Sequence, residues 1–316
     1  MLLTVADEAA GSRLDRFLAD RLPDHSRTRL AAWIRDGYVR LDGAPARPSV
    51  KLAAGQQVHV DPPADPAPVL EAQPIPLTVV YSDAHLVVVD KPAGLVVHPG
   101  AGNPDGTVVN GLLHRFGALS PVGAPERPGV VHRIDAGTSG LIVFARTEAA
   151  HHHLAAQFAA HSVDRVYLAL AWDHGLAETG THATRYGRHP VDRRKFTTTV
   201  DGGKHAVTHW RVIERLPPCA WVELRLETGR THQIRVHFAE AGHPLVGDAT
   251  YGRHRRVERP VALRALGVEL GLTRQALHAA RLGFRHPARE ETLCFESPVP
   301  PDITAVREAL RAVGAR

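Results

Sequence analysis

The sequence predicts an α+β protein in which a small α/β domain precedes a larger domain built on a mainly antiparallel mixed sheet flanked by helices and loops. Two helical patterns followed by short strands begin the chain, a proline-dense stretch follows, and strand-like runs recur through the rest. With 316 residues and a hydrophobic content of 44%, the chain is long enough to bury one large core and one small one.

The small domain is predicted to contain two helices and then two short strands. Ser26 is the predicted N-cap of the second helix, and Gly37 follows its end. The runs YVRLDG and QVHV predict the strands, the first of which leads into a turn at Asp42-Gly43. Apolar residues at helical spacing predict a first helix that Pro23 ends: Leu14, Phe17, Leu18 and Leu22.

A proline-dense stretch separates the two predicted domains. Residues 61–76, DPPADPAPVLEAQPIP, hold six prolines and three acidic side chains but no basic one. Proline removes a backbone donor and interrupts helices and inner strands, so this stretch is predicted to be a linker. The predicted domains therefore occupy residues 11–60 and 77–316.

Strand-like runs predict the sheet of the larger domain: LTVVYS, HLVVVD, GLIVFAR, RVYLALAW, KHAVTHWRVI and CAWVELRLET. In the last run, Ala220, Val222 and Leu224 alternate with more polar neighbours, a period of two. This alternation predicts antiparallel strands with one buried face rather than a parallel nucleotide-binding sheet. Helical spacing predicts helices over residues 148–161 and 231–241, the second capped by Thr231.

The composition excludes several classes of protein. Two distant cysteines, Cys219 and Cys294, cannot form a disulfide scaffold and fit a reducing compartment. The N-terminal residues lack the basic start and long apolar stretch of a signal peptide. No apolar run reaches about 18 residues, so no membrane span is expected. The sequence therefore predicts a soluble, cytoplasmic protein whose formal net charge of +5 points weakly to an anionic partner.

Basic residues outnumber acidic ones in both predicted domains, whereas the predicted linker has none. Residues 11–60 carry nine Lys and Arg against five Asp and Glu, and residues 77–316 carry 29 against 23. Arg27, Arg29 and Arg35 lie on or near the second predicted helix, and Lys51 follows. The charges alone leave two interpretations open, a solvated helix face or a nucleic-acid contact.

Cofactor and metal motifs are missing from the sequence. GAGNPDG at residues 100–106 has its third glycine too late for a dinucleotide fingerprint, and no phosphate-binding GxxxxGK[ST] loop occurs. Although the chain has 21 histidines, none follows the HExxH spacing of a zinc site. His151, His152 and His153 point in different directions on a helix. No metal or nucleotide cofactor is therefore predicted.

Residues 128–146, PGVVHRIDAGTSGLIVFAR, form the segment most suggestive of chemistry. His132, Arg133 and Asp135 make a polar patch just before an apolar strand, and Gly137 and Gly140 allow a tight backbone path. A carboxylate placed there either stabilises the turn by accepting backbone N–H bonds or acts in catalysis. The residues alone favour neither interpretation.

HRIDAGTSGL resembles the active-site motif of the RluA/RluD group of pseudouridine synthases. Further segments resemble the same family in the same order: residues 87–99, 165–170, 204–212, 226–252 and 277–287. Ile134 stands where the family usually has Leu, which keeps an apolar contact. Ala136 and Gly137 replace residues that are commonly charged. The resemblance implies a pseudouridine synthase catalytic domain, an isomerase that needs no cofactor.

The resemblance also implies roles for single residues. Asp135 would be the catalytic aspartate, and Arg235 would pair with it and hold it charged. Tyr167 would stack on the target uracil and handle a proton, unless it is a core tyrosine. Arg133 would enter the RNA stack where the target nucleotide leaves, unless it contacts a phosphate.

The N-terminal segment resembles the alpha-L RNA-binding domain of a small-subunit ribosomal protein and of several RNA-modifying enzymes. That resemblance implies that Arg27, Arg29, Arg35 and Lys51 contact RNA phosphates. Together the resemblances imply a cytoplasmic, monomeric enzyme that isomerises uridines in structured RNA, foremost 23S ribosomal RNA. The same chemistry on tRNA, and a noncatalytic RNA-binding protein of ribosome assembly, are the alternatives.

Overall fold

Two compact units make up the chain, Met1–Pro68 and Val69–Arg316. The computed structural model describes residues 1–23, 25–62, 70–100, 102–252, 272–289 and 291–314. The predicted linker, residues 61–76, falls where the two units meet in sequence, and its part from 63 to 69 lies outside the described residues.

The N-terminal unit packs two helices on a small antiparallel sheet. Its elements are β1 (Leu2–Thr4), α1 (Leu14–Arg21), α2 (Arg27–Arg35), β2 (Val39–Leu41), β3 (Ala44–Pro45) and β4 (Gln57–Val60). The strands are ordered β1-β4-β2-β3. The Ser26 hydroxyl accepts a hydrogen bond from the Arg29 N–H at 3.3 Å, which confirms the predicted N-cap of α2. Asp42 and Gly43 both have positive φ, as a tight hairpin between β2 and β3 requires.

The larger unit is a mixed sheet with helices on both faces. Its strands are β5 (Thr78–Ser82), β6 (Leu86–Lys91), β7 (Ser139–Ala145), β8 (Asp164–Trp172), β9 (Thr179–Arg188), β10 (Phe196–Thr197), β11 (Lys204–Leu216), β12 (Cys219–Leu226), β13 (Leu277–Arg285) and β14 (Thr292–Glu296). Its helices are α3 (Val108–Phe116), α4 (Glu148–Ala159), α5 (Gln233–Glu240) and α6 (Pro301–Gly314).

The strand order β10-β9-β11-β12-β8-β13-β7-β6-β5 places β8 and β13 near the centre, and β14 pairs with β13. Among the described strands, β7 and β13 form a parallel pair and the other pairs are antiparallel. This agrees with the α+β prediction. None of the described helices combines the length and apolar character that a bilayer crossing requires.

Both faces of the sheet are buried, which corrects the expectation of a single buried face. On one face, α3 and α5 cover a cluster that includes Ala220, Val222 and Leu224 of β12. On the other face, Trp221 packs in a cluster with residues of α6. The expectation was wrong because the pattern of β12 alone does not indicate that a C-terminal helix packs on the second face. An aromatic ring as large as that of Trp221 contributes favourable free energy when it is buried in this way.

Helix α5 begins one residue after His232, which lies in the left-handed backbone region (φ 60°, ψ 16°). The predicted cap at Thr231 is therefore wrong, and the Thr231 carbonyl instead accepts a hydrogen bond of 2.6 Å from the Tyr186 hydroxyl. Gly242 follows the helix with φ 89°, which is the left-handed conformation typical of a glycine after a C-terminus.

Candidate active site

The loop before β7 follows a path that requires glycine at Gly140 and is tight at Gly137. Gly140 has φ 109°, and a Cβ there would lie 2.3 Å from the Ala279 carbonyl oxygen of the neighbouring strand β13. At Gly137 a Cβ would lie 2.6 Å from the Gln275 side-chain oxygen. The structure thus confirms the tight path predicted from these glycines. The loop carrying Asp135 is pressed against the sheet and is not a free surface turn.

Lys91 holds this loop from beneath. Its side chain is fully buried at the end of β6. The ammonium donates to three backbone carbonyls, those of Pro92, Leu95 and Ala136, at 2.8, 2.9 and 3.0 Å. Burial lowers the pKa of Lys91 to about 7. Because Ala136 follows Asp135 directly, Lys91 fixes the backbone beside that carboxylate.

His132 supports the other end of the loop as a neutral imidazole. Its Nε2 accepts a hydrogen bond from the Val143 N–H at 3.1 Å, so the proton of the neutral ring is on Nδ1. The ring stacks on Phe158 with centroids 4.4 Å apart. Burial lowers the pKa of His132 to about 3. His132 is therefore a structural acceptor in the loop rather than a proton donor to substrate.

A cleft of about 220 Å³ opens above this loop. It brings together the three residues predicted to be catalytic, Asp135, Tyr167 and Arg235, although they are far apart in sequence. Arg133, which was predicted to contact RNA, also lines the cleft and is exposed. The remaining lining includes Ile134, Phe158, Arg165, Arg230, His232 and Gln233.

The Asp135 carboxylate is oriented by Arg235. The Arg235 Nη1 donates to Asp135 Oδ2 at 3.0 Å, and the two side chains are 8% and 15% exposed. Among the described residues, this guanidinium supplies the hydrogen bond to the carboxylate, and no backbone N–H does. The interpretation of Asp135 as a turn-stabilising side chain is therefore not supported. The second oxygen, Oδ1, faces His232, whose Nε2 is 3.9 Å away.

Asp248 is the second anchor of Arg235. Its fully buried carboxylate accepts from Arg235 Nε at 2.7 Å and from Nη2 at 3.0 Å. The N–H groups of Thr250 and Tyr251 also donate to it. Burial would raise the pKa of Asp248, but the hydrogen bonds and charge of Arg235 outweigh burial and lower it. Three of the guanidinium's nitrogens are thus engaged, which leaves Arg235 a single orientation toward Asp135.

Burial alone would lower the pKa of Arg235, but hydrogen bonds and charge from Asp248 and Asp135 outweigh it and raise the pKa above its ordinary value. The guanidinium is therefore permanently charged. A fixed cation with a directed N–H donor holds the neighbouring Asp135 carboxylate in one orientation. The arrangement can supply one oriented, charged oxygen to a substrate in the cleft.

Tyr167 lies on the central strand β8, between Leu224 of β12 and Ala279 of β13 in the strand register. It is 6% exposed and belongs to the main core cluster, yet it also lines the cleft. Burial raises its pKa, so it stays a protonated phenol at neutral pH. Tyr167 is therefore a core tyrosine that also lines the cleft, and its contact with a substrate stays a prediction.

Of the four residues predicted to contact RNA in the N-terminal unit, three lie on α2 and Lys51 lies outside it. Arg27 binds the buried Asp15 carboxylate at 2.9 Å, and Arg29 lies over the Trp33 ring at 5.4 Å. Arg35 ends α2, and Lys51 lies just before the core residue Leu52; both are exposed. Part of the predicted basic face thus stabilises the small unit itself.

Lys91 and Asp248 support Asp135 through contacts that the sequence did not reveal. Both lie in segments that resemble the family, KPAGLVVHP and HPLVGDATYG, which indicate either an architectural role or an RNA contact, and the structure shows the architectural one. Their burial depends on long-range packing. The sequence feature that could have identified them is a charged residue close after an apolar stretch, VVV before Asp90-Lys91 and PLVG before Asp248.

The histidine triplet lies on α4, away from the Asp135 carboxylate in sequence, with His151 buried and His152 and His153 exposed. Across the described parts of the chain, no three His, Cys, Asp or Glu side chains are grouped as metal ligands would be.

Comparison with known proteins matches both units of the chain to known families. The profile of the RNA pseudouridylate synthase family matches residues 85–240, which include Asp135, Tyr167 and Arg235. The S4 domain profile matches residues 12–58, the segment that resembles an alpha-L RNA-binding domain. Among solved structures, human RNA pseudouridylate synthase domain containing 1 aligns with a TM-score of 0.56 and 26% identity, over 77% of this chain and 97% of its own.

Curated bacterial relatives align over nearly the whole chain. Ribosomal large subunit pseudouridine synthase D of Xanthomonas campestris pv. campestris is 46% identical over 99% of this chain and 93% of its own. The protein of the same name in Pseudomonas aeruginosa is 45% identical over 96% and 93%. An uncharacterized RNA pseudouridine synthase of Bacillus subtilis, YlyB, is 41% identical over 99% and 98%. The chain, with its S4 domain and its Asp135 cleft, therefore belongs to the RNA pseudouridylate synthase family.

Proposed function

We propose that this protein is an RNA pseudouridine synthase that converts uridines of large-subunit ribosomal RNA into pseudouridine. The observation that carries the proposal is the Asp135 carboxylate, oriented in a cleft by a guanidinium that Asp248 holds from behind. The reaction breaks the bond between C1′ of the ribose and N1 of uracil and forms one between C1′ and C5. The proton lost from C5 is balanced by the proton gained at N1, so the product is an isomer.

Asp135 is the proposed catalytic residue, and Oδ1 is its working oxygen, because Oδ2 is occupied by Arg235. The carboxylate can attack C1′ directly, or it can take a proton from the sugar. Both routes require a negatively charged oxygen at the ribose. The fixed positive charge of Arg235 serves both, since it stabilises the carboxylate in one orientation.

The rest of the cleft suits a uracil that has left the RNA stack. Tyr167 lines the cleft, where its ring can stack on the base, and its hydroxyl is protonated. Arg133 is exposed at the rim, where it can fill the space that a flipped nucleotide leaves. Ile134 is buried beneath the loop and keeps the apolar contact expected from the family motif.

The choice of substrate is tested by mapping pseudouridines chemically in ribosomal RNA and tRNA. A strain that lacks the gene is compared with the same strain after the gene is restored. We expect one or a few positions in large-subunit ribosomal RNA to lose pseudouridine and to regain it on restoration. Loss confined to tRNA would redirect the proposal to that substrate, and no loss at all would favour a noncatalytic assembly protein.

The N-terminal unit is proposed to hold RNA phosphates through Arg27, Arg29, Arg35 and Lys51. The basic excess of residues 11–60 and the S4 match support this. Because Arg27 also binds the buried Asp15, its removal would disturb the unit as well as any RNA contact. Arg35 is the better probe, since its side chain is exposed at the end of α2.

Arg35→Ala is expected to weaken RNA binding at every sequence and to flatten the slope of log affinity against log salt by about one. The reason is that one fewer phosphate contact releases one fewer counterion. Affinity is measured at several salt concentrations, with the thermal unfolding midpoint as the control for folding. A slope equal to that of the unmodified protein would remove Arg35 from the RNA-binding surface.

A further inference from the structure

His232 occupies an unusual backbone position at the edge of the cleft. It lies in the left-handed region, with φ 60° and ψ 16°, just before helix α5. Few residues other than glycine adopt this conformation, and those that do cluster at functional sites. The turn places the imidazole between Tyr251 and Asp135. Its side chain is 23% exposed, so it is accessible from the cleft.

Hydrogen bonds behind His232 determine which ring nitrogen carries the proton. The Phe196 N–H donates to the Tyr251 hydroxyl oxygen at 3.0 Å, and that hydroxyl lies 2.9 Å from His232 Nδ1. Among the contacts of the described residues, Nδ1 is the acceptor within reach of the Tyr251 O–H, so we assign that hydroxyl as the donor to Nδ1. Burial lowers the pKa of His232, which keeps the ring neutral. A neutral ring that accepts at Nδ1 carries its proton on Nε2.

That Nε2–H faces Asp135 across a gap too long for a direct hydrogen bond. Nε2 and Oδ1 are 3.9 Å apart, whereas an N–H donor and its acceptor are usually separated by about 2.7–3.2 Å. A donor and an acceptor therefore face the same small space in the cleft. A hydroxyl group fits this pair, because it accepts one hydrogen bond and donates another.

We propose that His232 Nε2 and Asp135 Oδ1 together bind the 2′-hydroxyl of the ribose whose base is isomerised. This rests on the proposed function, which brings C1′ to Oδ1. The 2′-oxygen is attached to the adjacent ribose carbon and so comes within reach of the same oxygen. The His232 Nε2–H would donate a hydrogen bond to the 2′-oxygen, and the carboxylate would accept a hydrogen bond from the 2′-hydroxyl. The pair would thus recognise ribose over deoxyribose at the target nucleotide.

The test compares two RNA fragments that carry the mapped target site, one with uridine and one with 2′-deoxyuridine at that position. Single-turnover rates are measured for the full-length protein and for His232→Asn and His232→Gln. Asparagine tolerates the left-handed backbone but is too short to reach the hydroxyl. Glutamine is long enough to carry an N–H donor toward the position of Nε2.

We expect the unmodified protein to act at least about tenfold faster on the ribose substrate, since a hydrogen bond to a charged or strongly polar group is typically worth that much. His232→Asn should slow the ribose substrate by a similar factor and leave the deoxyribose rate nearly unchanged. His232→Gln should show most of the preference for the ribose substrate that His232→Asn loses. Tyr251→Phe, which removes the hydroxyl that directs the His232 proton, should reduce it.

An equal preference for ribose in the unmodified protein and in His232→Asn would overturn the inference. If the deoxyribose substrate is not converted measurably, the affinities of both RNAs are compared for Asp135→Asn with and without His232→Asn. If the ratio of ribose-RNA affinity to deoxyribose-RNA affinity is the same for both variants, the inference is also overturned. An unmodified protein that fails to convert uridine contradicts the proposed function itself, whereas an active protein with an unchanged ratio contradicts only the role of His232.

Discussion

Asp135→Asn is expected to reduce pseudouridine formation by at least about 1,000-fold, the effect of removing a catalytic acid–base or nucleophilic group. Asparagine has the size of aspartate but lacks the negative charge that both routes at the ribose require. The cleft should survive, because Arg235 keeps its two hydrogen bonds to Asp248. Single-turnover conversion of the target RNA, read by chemical mapping of pseudouridine, measures the loss.

RNA affinity supplies the control for this variant. Contacts to phosphates dominate affinity for nucleic acids, so Asp135→Asn should bind RNA within about threefold of the unmodified protein. Asp105→Asn makes the same chemical change at an exposed aspartate of the same unit and should leave the rate unchanged. Asp135→Ala guards against deamidation of asparagine back to aspartate. Conversion by Asp135→Ala within tenfold of the unmodified rate would exclude Asp135 as the catalytic residue.

A short motif singled out this carboxylate, and its resemblance to the family implied the catalytic role that the residues alone left open. HRIDAGTSGL places Asp135, Gly137 and Gly140 within six residues, and the structure confirms the tight backbone path there, with a steric requirement for glycine at Gly140. The alternation in β12 likewise predicted its antiparallel pairing correctly, although both of its faces are buried. Local patterns of this kind need no knowledge of the tertiary fold.

The supports of the carboxylate were not accessible in the same way. Lys91 reaches the Ala136 carbonyl because β6 pairs with β7 in a register that sets Lys91 opposite Gly140. That register follows from sheet topology, which a single sequence does not specify. Strand β13 was not predicted for a different reason. Its sequence, LHAARLGFR, interrupts the apolar residues with His278 and Arg281, and an irregularity between Ala279 and Arg281 breaks the period of two.

The buried pair of Arg235 and Asp248 leads to the second large expected effect. Arg235→Met should lower the free energy of unfolding by about 3–5 kcal/mol, because it leaves the Asp248 carboxylate buried without its partner. It should also abolish activity, since Asp135 loses the cation that orients it. Urea unfolding measures the first effect, and single-turnover conversion measures the second.

Adding Asp248→Asn to Arg235→Met separates the two effects. The amide removes the unpaired charge while its oxygen still accepts from the Thr250 and Tyr251 N–H groups, so stability should recover in large part. Activity should not recover, because nothing replaces the guanidinium beside Asp135. A double variant that regains activity along with stability would show that Arg235 serves the fold alone.

The pH dependence of stability provides an independent measure of the same pair. The pKa of Asp248 in the folded protein lies below its ordinary value of 3.8, so the pair contributes its full stability above that value. The contribution is lost as the pH falls through the folded pKa. In Arg235→Met the buried Asp248 carboxylate instead favours its protonated form. Lowering the pH therefore removes the unpaired buried charge and reduces the destabilisation of the variant. The stability difference between the two proteins should therefore narrow as the pH is lowered from about 7 to about 3.5. A difference independent of pH would mean that Arg235 stabilises the protein through packing and not through charge.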